Sequence, residues 1–291
     1  MIRLEQTARL RGSDRAVTCA RFDDLGALAD HLASACGDAK NWTRTPESAW
    51  IGATGAQTLK RARAGDASRV ALADAMLAKL EDAVGFEARR WRAVDAVAGG
   101  VPNVPAYLSG APLAMRRRAR VMDAAAPLTI AIDLGVSQSV NDRTIARRGA
   151  AALALARIAA GSRPVALWVY FAAHSGGDDD AMLAVKLDTA PLDVARAAWL
   201  LCAPEALRRA AFSVLEQIGG WTKSGYVSWL DTYETHKRVA SDLAAAVTGA
   251  DDFLNVPGLL SDGDVDFGSD DAAAAWVRAQ LGARGAVERA A

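Results

Sequence analysis

The chain has 291 residues, 52% apolar and 23% charged, with 34 basic side chains balancing 34 acidic ones. A chain of this length can bury a sizeable core without staples, and roughly 100–200 residues per domain gives one large domain or two small ones. The composition excludes disordered, collagen-like and disulfide-scaffold classes, and the zero net charge excludes a global field for nucleic acid or an anionic membrane.

The first fifteen residues lack the apolar stretch of a signal peptide, and no segment offers about 18 apolar residues without charge. A cytoplasmic protein with no membrane partner is therefore expected. Phe22, Leu25, Leu28 and Leu32 fall on one helical stripe, with Asp23 and Asp24 suited to the first turn. A second helix is predicted over Asp66–Leu80, with Val70, Leu72, Leu77 and Leu80 as apolar positions. Between the two, Trp42, Pro46, Trp50, Gly52 and Gly55 predict a loop. The loose alternation of Phe86–Val97 predicts a strand with a basic face. Pro102, Pro105 and Pro112 predict extended chain over Gly99–Pro112.

From Pro127 the pattern changes. Leu128–Asp133 reads as a buried strand ending in an acid, and Asn141–Ala160 as a long helix capped by Asn141 or Asp142. Pro164–Ala173 and Ala181–Asp188 read as strands of a hairpin around a His174-Ser-Gly-Gly-Asp-Asp-Asp turn. Helical segments follow at 191–203 and 205–218, divided by Pro204, then an aromatic connection over Trp221–Thr232. Thr235–Val247 is helical, Asp252–Leu260 a strand and Asp270–Leu281 a terminal helix. This order predicts an α/β fold for 126–291, an open, mainly parallel sheet flanked by helices. Residues 1–125 form an N-terminal α+β region packed on it.

The strongest chemical signal is Asp133-Leu-Gly-Val-Ser137-Gln-Ser139, placed where a core strand ends and a helix begins. Ligands of open α/β sheets bind outside the carboxyl ends of strands. A carboxylate with nearby hydroxyls offers the hard oxygen ligands that Mg²⁺ or Mn²⁺ takes. The segment resembles the metal-ion-dependent adhesion site of von Willebrand factor A-type domains, Asp-x-Ser-x-Ser at the end of the first strand. Asp133 and Ser137 match the Asp and the second Ser. Gly135 stands in place of the first Ser, and Ser139 is out of register. The hairpin over 164–188 and Leu259-Leu-Ser-Asp262-Gly263 before the last helix also match that family. The family's metal-binding Thr has no matching position; Thr222 and Thr232 are no more than candidates. The resemblance implies a Mg²⁺ or Mn²⁺ site drawing on Asp133, Ser137, Ser139 and Asp262, completed by a carboxylate from a protein partner.

A second resemblance spans more of the chain. The segments V-P-N-V-P-A-Y-L-S-G-A-P-L-A-M at 101–115, R-R-G at 147–149 and P-E-A-L-R-R-A-A-F-S-V-L-E at 204–216 resemble an uncharacterised family of bacteriophage proteins. It implies a phage or prophage product working in a bacterial cytoplasm or virion, and no activity.

Arginines cluster at Arg61/Arg63, Arg89-Arg90-Trp91-Arg92, Arg116-Arg117-Arg118 with Arg120, Arg147-Arg148 and Arg208-Arg209. Arginine beside tryptophan binds phosphate and stacks on bases. The segments 89–92 and 116–120 are therefore an alternative, nucleic-acid-binding face, although a run of charges is usually a solvated surface. Trp168 and Trp199 are expected in the core, and Trp221 and Trp229 at a partner contact. His31 is expected at a core boundary, and His174 in solvent. Asp178-Asp179-Asp180 and Asp262/Asp264/Asp266 read as solvated loops. Cys19, Cys36 and Cys202 have no C-x-x-C spacing, which argues against a disulfide framework or thiolate zinc. The leading expectation is a non-enzymatic protein-interaction module of phage origin, then nucleic-acid binding. A divalent-metal hydrolase using Asp133 and Asp262 comes last, because no activated nucleophile or positioned base is visible.

Overall fold

The computed structural model describes residues 1–10, 13–43, 52–84, 91–120, 127–160, 163–174, 180–187, 189, 192–218 and 233–283. Its first two elements are strands, β1 (Ile2–Leu10) and β2 (Ser13–Phe22), paired antiparallel with Ile2 opposite Arg21. No strand is expected here from the sequence. Apolar residues alternate with Arg3, Glu5, Thr18 and Arg21, so no apolar run marks either element.

Helix α1 (Leu25–Ala35) follows, with Asp24 as its N-cap accepting from Ala27 N and Leu25, Leu28, Ala29 and Leu32 turned inward. A short α2 (Lys40–Thr43) and α3 (Gly55–Ala64) occupy the stretch expected to be a loop. In α3 a capping box overrides the loop-like composition: Thr54 accepts from Gln57 N, and the Gln57 side chain accepts from Thr54 N. Helix α4 (Ala67–Val84) forms where predicted, but Leu72 is 43% exposed. Val70, Ala73 and Met76 supply its inner stripe instead. Leu77 and Leu80 lie outside the described side chains.

Next comes a separate small sheet, β3 (Trp91–Ala96), β4 (Val101–Pro102) and β5 (Met115–Arg120), in the order β3-β5-β4. Between β4 and β5 the extended chain expected from three prolines gives way to α5 (Val104–Leu108), capped by Asn103. Pro105 falls in its first turn, where the missing N–H costs nothing.

The main sheet is completed by β6 (Leu128–Asp133), β7 (Val165–His174), β8 (Asp180–Leu187) and β9 (Asp252–Val256). Its order is β1-β2-β8-β7-β6-β9, open at both edges. The pairs β2/β8, β6/β7 and β6/β9 are parallel, while β1/β2 and the hairpin β7/β8 are antiparallel. The protein is therefore an α/β fold with a six-stranded mixed, mostly parallel sheet plus a small antiparallel one. The first two strands, from the amino-terminal region, belong to the same sheet as the last four.

Helix α6 (Asp142–Ala159), α7 (Val194–Cys202), a π-helical stretch Ala206–Ala211 and α8 (Phe212–Ile218) pack in the larger core cluster, with α10 (Asp270–Ala283). Fourteen of the eighteen residues of α6 are buried, so it is enclosed on all sides. It lies under the sheet, with α4, α7 and α10 against its flanks. Gly149 permits this: a Cβ there would sit 2.4 Å from the Leu201 carbonyl oxygen. On the other face of the sheet α9 (Tyr233–Thr248) packs Val239, Ala240, Leu243, Ala244 and Val247 against Trp168, Tyr170 and Met182. Trp168 and Trp199 are buried as expected; Trp221, Trp229, Thr222 and Thr232 lie outside the described residues. Among the described residues no helix is long and apolar enough to cross a membrane.

Candidate functional site at the carboxyl end of the sheet

Strands β6 and β9 run parallel, so the chain leaves both at the same end of the sheet. The two exit loops are stitched together. Val136 bridges Leu259 in parallel, Leu259 N donates to the Gly135 carbonyl and Ser137 N to the Leu259 carbonyl, both at 2.8 Å. Gly258 makes the approach possible, because a Cβ there would lie 2.6 Å from the Gly135 oxygen and 3.2 Å from Asp133 Oδ2.

Asp133 is 1% exposed at the end of β6, and its Oδ1 accepts from Gly135 N at 2.8 Å. The burial follows from the stitched loops above it. Opposite it on β7, Tyr170 donates from its hydroxyl to Asn255 Oδ1 on β9 at 2.8 Å. Burial, and after it the charge of Asp133, pushes that phenol well above its ordinary pKa.

Two buried arginines hold the loop from beneath. Arg148 Nη1, from α6, donates to the Asp133 carbonyl at 2.6 Å and reaches that of Gly135 at 3.4 Å. Arg208, from the π-helical stretch, donates through Nη2 to the carbonyls of Val140 at 3.0 Å and Ser137 at 3.5 Å. Burial lowers the Arg208 pKa to about 10, partly opposed by Asp142, so it remains charged at neutral pH. The next residue, Arg209, points elsewhere and donates to the carbonyls of Ala53 at 2.6 Å and Trp42 at 2.5 Å. The Arg147-Arg148 and Arg208-Arg209 pairs, read from sequence as solvated faces, are thus mostly buried clamps on main-chain carbonyls. Arg147 is largely enclosed as well, paired with Asp270 at 2.6 Å and donating to the carbonyls of Phe267 at 2.9 Å and Gly268 at 3.1 Å. Nothing in the sequence distinguishes them except their setting in Ala-rich apolar runs.

Asn141 caps α6 by accepting from Thr144 N, and its own N–H donates to Asp262 Oδ1 at 2.7 Å. Asp262, 121 residues away in sequence, therefore sits at the mouth of α6, where the helix dipole favours an anion. Ser137 and Ser139 lie on the same turn with their hydroxyls 3.3 Å apart. Of the four candidate ligands, the two serines come together and Asp262 closes the loop from outside. Asp133 is buried below them. Among the described residues, no three His, Cys, Asp or Glu side chains gather into a metal-binding group.

Other expectations change. His174 is buried, not solvated, with Nδ1 2.8 Å from Asp180 Oδ1, and Arg15 Nε is 3.0 Å from Asp180 Oδ2. Asp180 therefore leaves the solvated-loop reading; Asp178 and Asp179 lie outside the described residues. His31 is at a core boundary against the Phe22 ring, with its pKa lowered by burial first and then by the amino terminus and Arg3. The segments 89–92 and 116–120 are brought together as far as they are described: β3 pairs with β5, Trp91 opposite Arg120 and Arg92 opposite Ala119. Arg116 and Arg117 are exposed, and Arg118 lies opposite Ala93; Arg89 and Arg90 lie outside the described residues.

With this geometry in place, comparison with known proteins gives one relationship. The family described as a domain of unknown function, DUF7192, matches residues 6–238, and the chain belongs to it. No curated protein and no solved structure matches the chain.

Proposed function

We propose that this chain is a non-enzymatic protein-interaction module, von Willebrand factor A-like and phage-encoded, whose binding end is the pair of stitched loops after β6 and β9. The observation that carries the reading is the clasp of Asp262 on Asn141 over the buried Asp133. It creates a rigid, polar, strand-end surface with a carboxylate and two hydroxyls at its rim, and rigidity is what a recognition loop needs. The strand order β8-β7-β6-β9, with β8 the antiparallel member, supports the family likeness.

A divalent ion fits this reading as a weak ligand. Asp133, Ser137, Ser139 and Asp262 are hard oxygen donors of the kind Mg²⁺ or Mn²⁺ takes, and the bound ion would supply a Lewis-acid contact for a partner's carboxylate. Against it, Gly135 brings no hydroxyl, and the guanidinium of Arg148 already touches the Asp133 main chain. The expected affinity is millimolar.

The test is thermal unfolding in EDTA and then in millimolar Mg²⁺ or Mn²⁺, for wild type and for Asp262→Asn. A ligand near its Kd stabilises the native state by roughly 0.4 kcal/mol, and at about ten times its Kd by roughly 1.4 kcal/mol. A rise in wild type that the variant lacks supports the metal-assisted site. Equal curves reduce the proposal to a metal-free interaction surface, and partner capture unaffected by Asp262→Arg would remove that too.

A further inference from the structure

The small sheet β3-β5-β4 with α5 differs from the rest of the chain in two ways. Residues 91–120 carry five arginines, Arg92, Arg116, Arg117, Arg118 and Arg120, against the single acid Asp95, in a chain whose total charge is zero. The same unit leaves Val97, Val101, Val104, Tyr107, Leu108 and Leu113 between 45% and 78% exposed. These are six of the eleven exposed large apolar residues among those described, so more than half of them fall in this one unit.

Its shape is a ribbon. β3 and β5 pair antiparallel over six residues, about 20 Å at roughly 3.4 Å per residue. Among the described residues, the substantial contacts of these strands are with one another, so the ribbon stands off the main sheet and its helices. Strand alternation places the neighbouring Arg116 and Arg117, both exposed, on opposite faces, with Arg116 Nε 3.4 Å from Asp95 Oδ1. Val101 lies directly opposite Arg116, and the other apolar residues continue from there through α5 and the turn into β5.

We infer that this ribbon is a duplex-DNA-binding arm, its arginines on the phosphates and its apolar end inserted into the minor groove as a wedge between base pairs. Three properties select DNA over a protein or membrane surface. Arginines on both faces of a ribbon suit a groove bounded by two phosphate rows, whereas a flat partner meets one face. Strands enter DNA grooves in known recognition modes. Apolar side chains at the end of a basic element are the type that unstack a base step and kink the duplex. The inference does not depend on the binding end at β6 and β9.

The test uses the full chain and an end-labelled duplex of about 25 base pairs, read by anisotropy and by energy transfer between the two ends. Binding is expected, with log Kobs falling against log salt with a slope of about −3 to −4, from about four neutralised phosphates. Arg116→Glu with Arg117→Glu, both at exposed positions, should weaken it at least tenfold with unchanged circular dichroism. Tyr107→Ala with Leu108→Ser should keep the salt slope and lose the energy-transfer rise that reports bending. Absence of duplex binding at low salt overturns the inference, as does binding that the arginine pair leaves unchanged. Binding without bending overturns the wedge. Self-association, or capture by anionic vesicles, lost in the same variants while DNA is ignored would assign the arm to another class of partner and also overturn it.

Discussion

Arg208 reaches the carbonyl oxygen of Val140 at 3.0 Å, so a side chain from the π-helical stretch fixes the last turn of the loop that follows β6. A buried guanidinium is costly to desolvate, and here main-chain carbonyls compensate it. Arg208→Met keeps the volume and removes the donors, stranding the Val140 and Ser137 carbonyls. The expected loss is about 2–4 kcal/mol by urea unfolding. Arg208→Lys, with a point charge in place of a fork, should recover only part of it.

Gly149→Ala tests the crossing of α6 and α7. The added Cβ would meet Cys202 Sγ at 2.6 Å and the Leu201 carbonyl oxygen at 2.4 Å, and the latter cannot retreat without moving α7. Alanine normally improves an interior helix position by up to about 1 kcal/mol. Here a net destabilisation of about 1–3 kcal/mol is expected from overpacking, read as a lower Tm. A neutral or stabilising result would mean that the two helices separate easily.

Asn141→Ala removes the cap of α6 and should cost about 1 kcal/mol. Asn141→Asp keeps an acceptor for Thr144 N, yet it places a second carboxylate beside Asp262, whose Oδ1 is 2.7 Å from Asn141 N. The two substitutions should therefore separate with salt. The alanine loss is independent of ionic strength, and the aspartate loss shrinks as salt screens the like charges.

The three thiols give a pH signature. Burial pushes Cys19, Cys36 and Cys202 up to about 12, against an ordinary value of 9.0. Unfolded thiols ionise above pH 9 while folded ones keep their protons, so the unfolded state releases protons that the native state holds. This contribution to stability is complete below pH 9 and is lost as pH climbs toward 12. Urea midpoints should fall more steeply over that window in wild type than in Cys36→Ala. In the native protein at pH 8 a thiol reagent should find all three unreactive.

Much of the architecture around the binding end was legible because local signals agree there. Six consecutive buried residues, Leu128 to Asp133, follow Pro127, and Asn141 announces a helix that the structure caps with the same side chain. The β7/β8 hairpin, α9, β9 and α10 likewise appear within a few residues of their predicted bounds. What stayed hidden depends on distant chain. Arg148 and Arg208 look like any surface arginine until the Asp133–Val140 carbonyls arrive beside them. His174 looks solvated until Asp180 and Arg15 close over it. The strand β1 shows only alternation, because an edge strand needs few apolar residues. α3 did carry a readable signal, Thr54 followed three residues later by Gln57, outweighed by the neighbouring Trp, Pro and Gly.

The pairing of β2 with β8 has a consequence for how the chain acquires its shape. Val17 lies beside Asp180, so β2 waits for a neighbour about 160 residues downstream. Until the β7–β8 hairpin leaves the ribosome, the β1–β2 ribbon has both edges of N–H and C=O groups unpaired, the β2 edge as well as the β1 edge that stays open, templates for pairing with other chains. Such long-range parallel closure is slow compared with the local contacts of the helices. A nascent chain stalled before β8 should therefore be protease-sensitive at its amino terminus and dependent on chaperones. One released after β9 should protect β1 and β2 in a single late step.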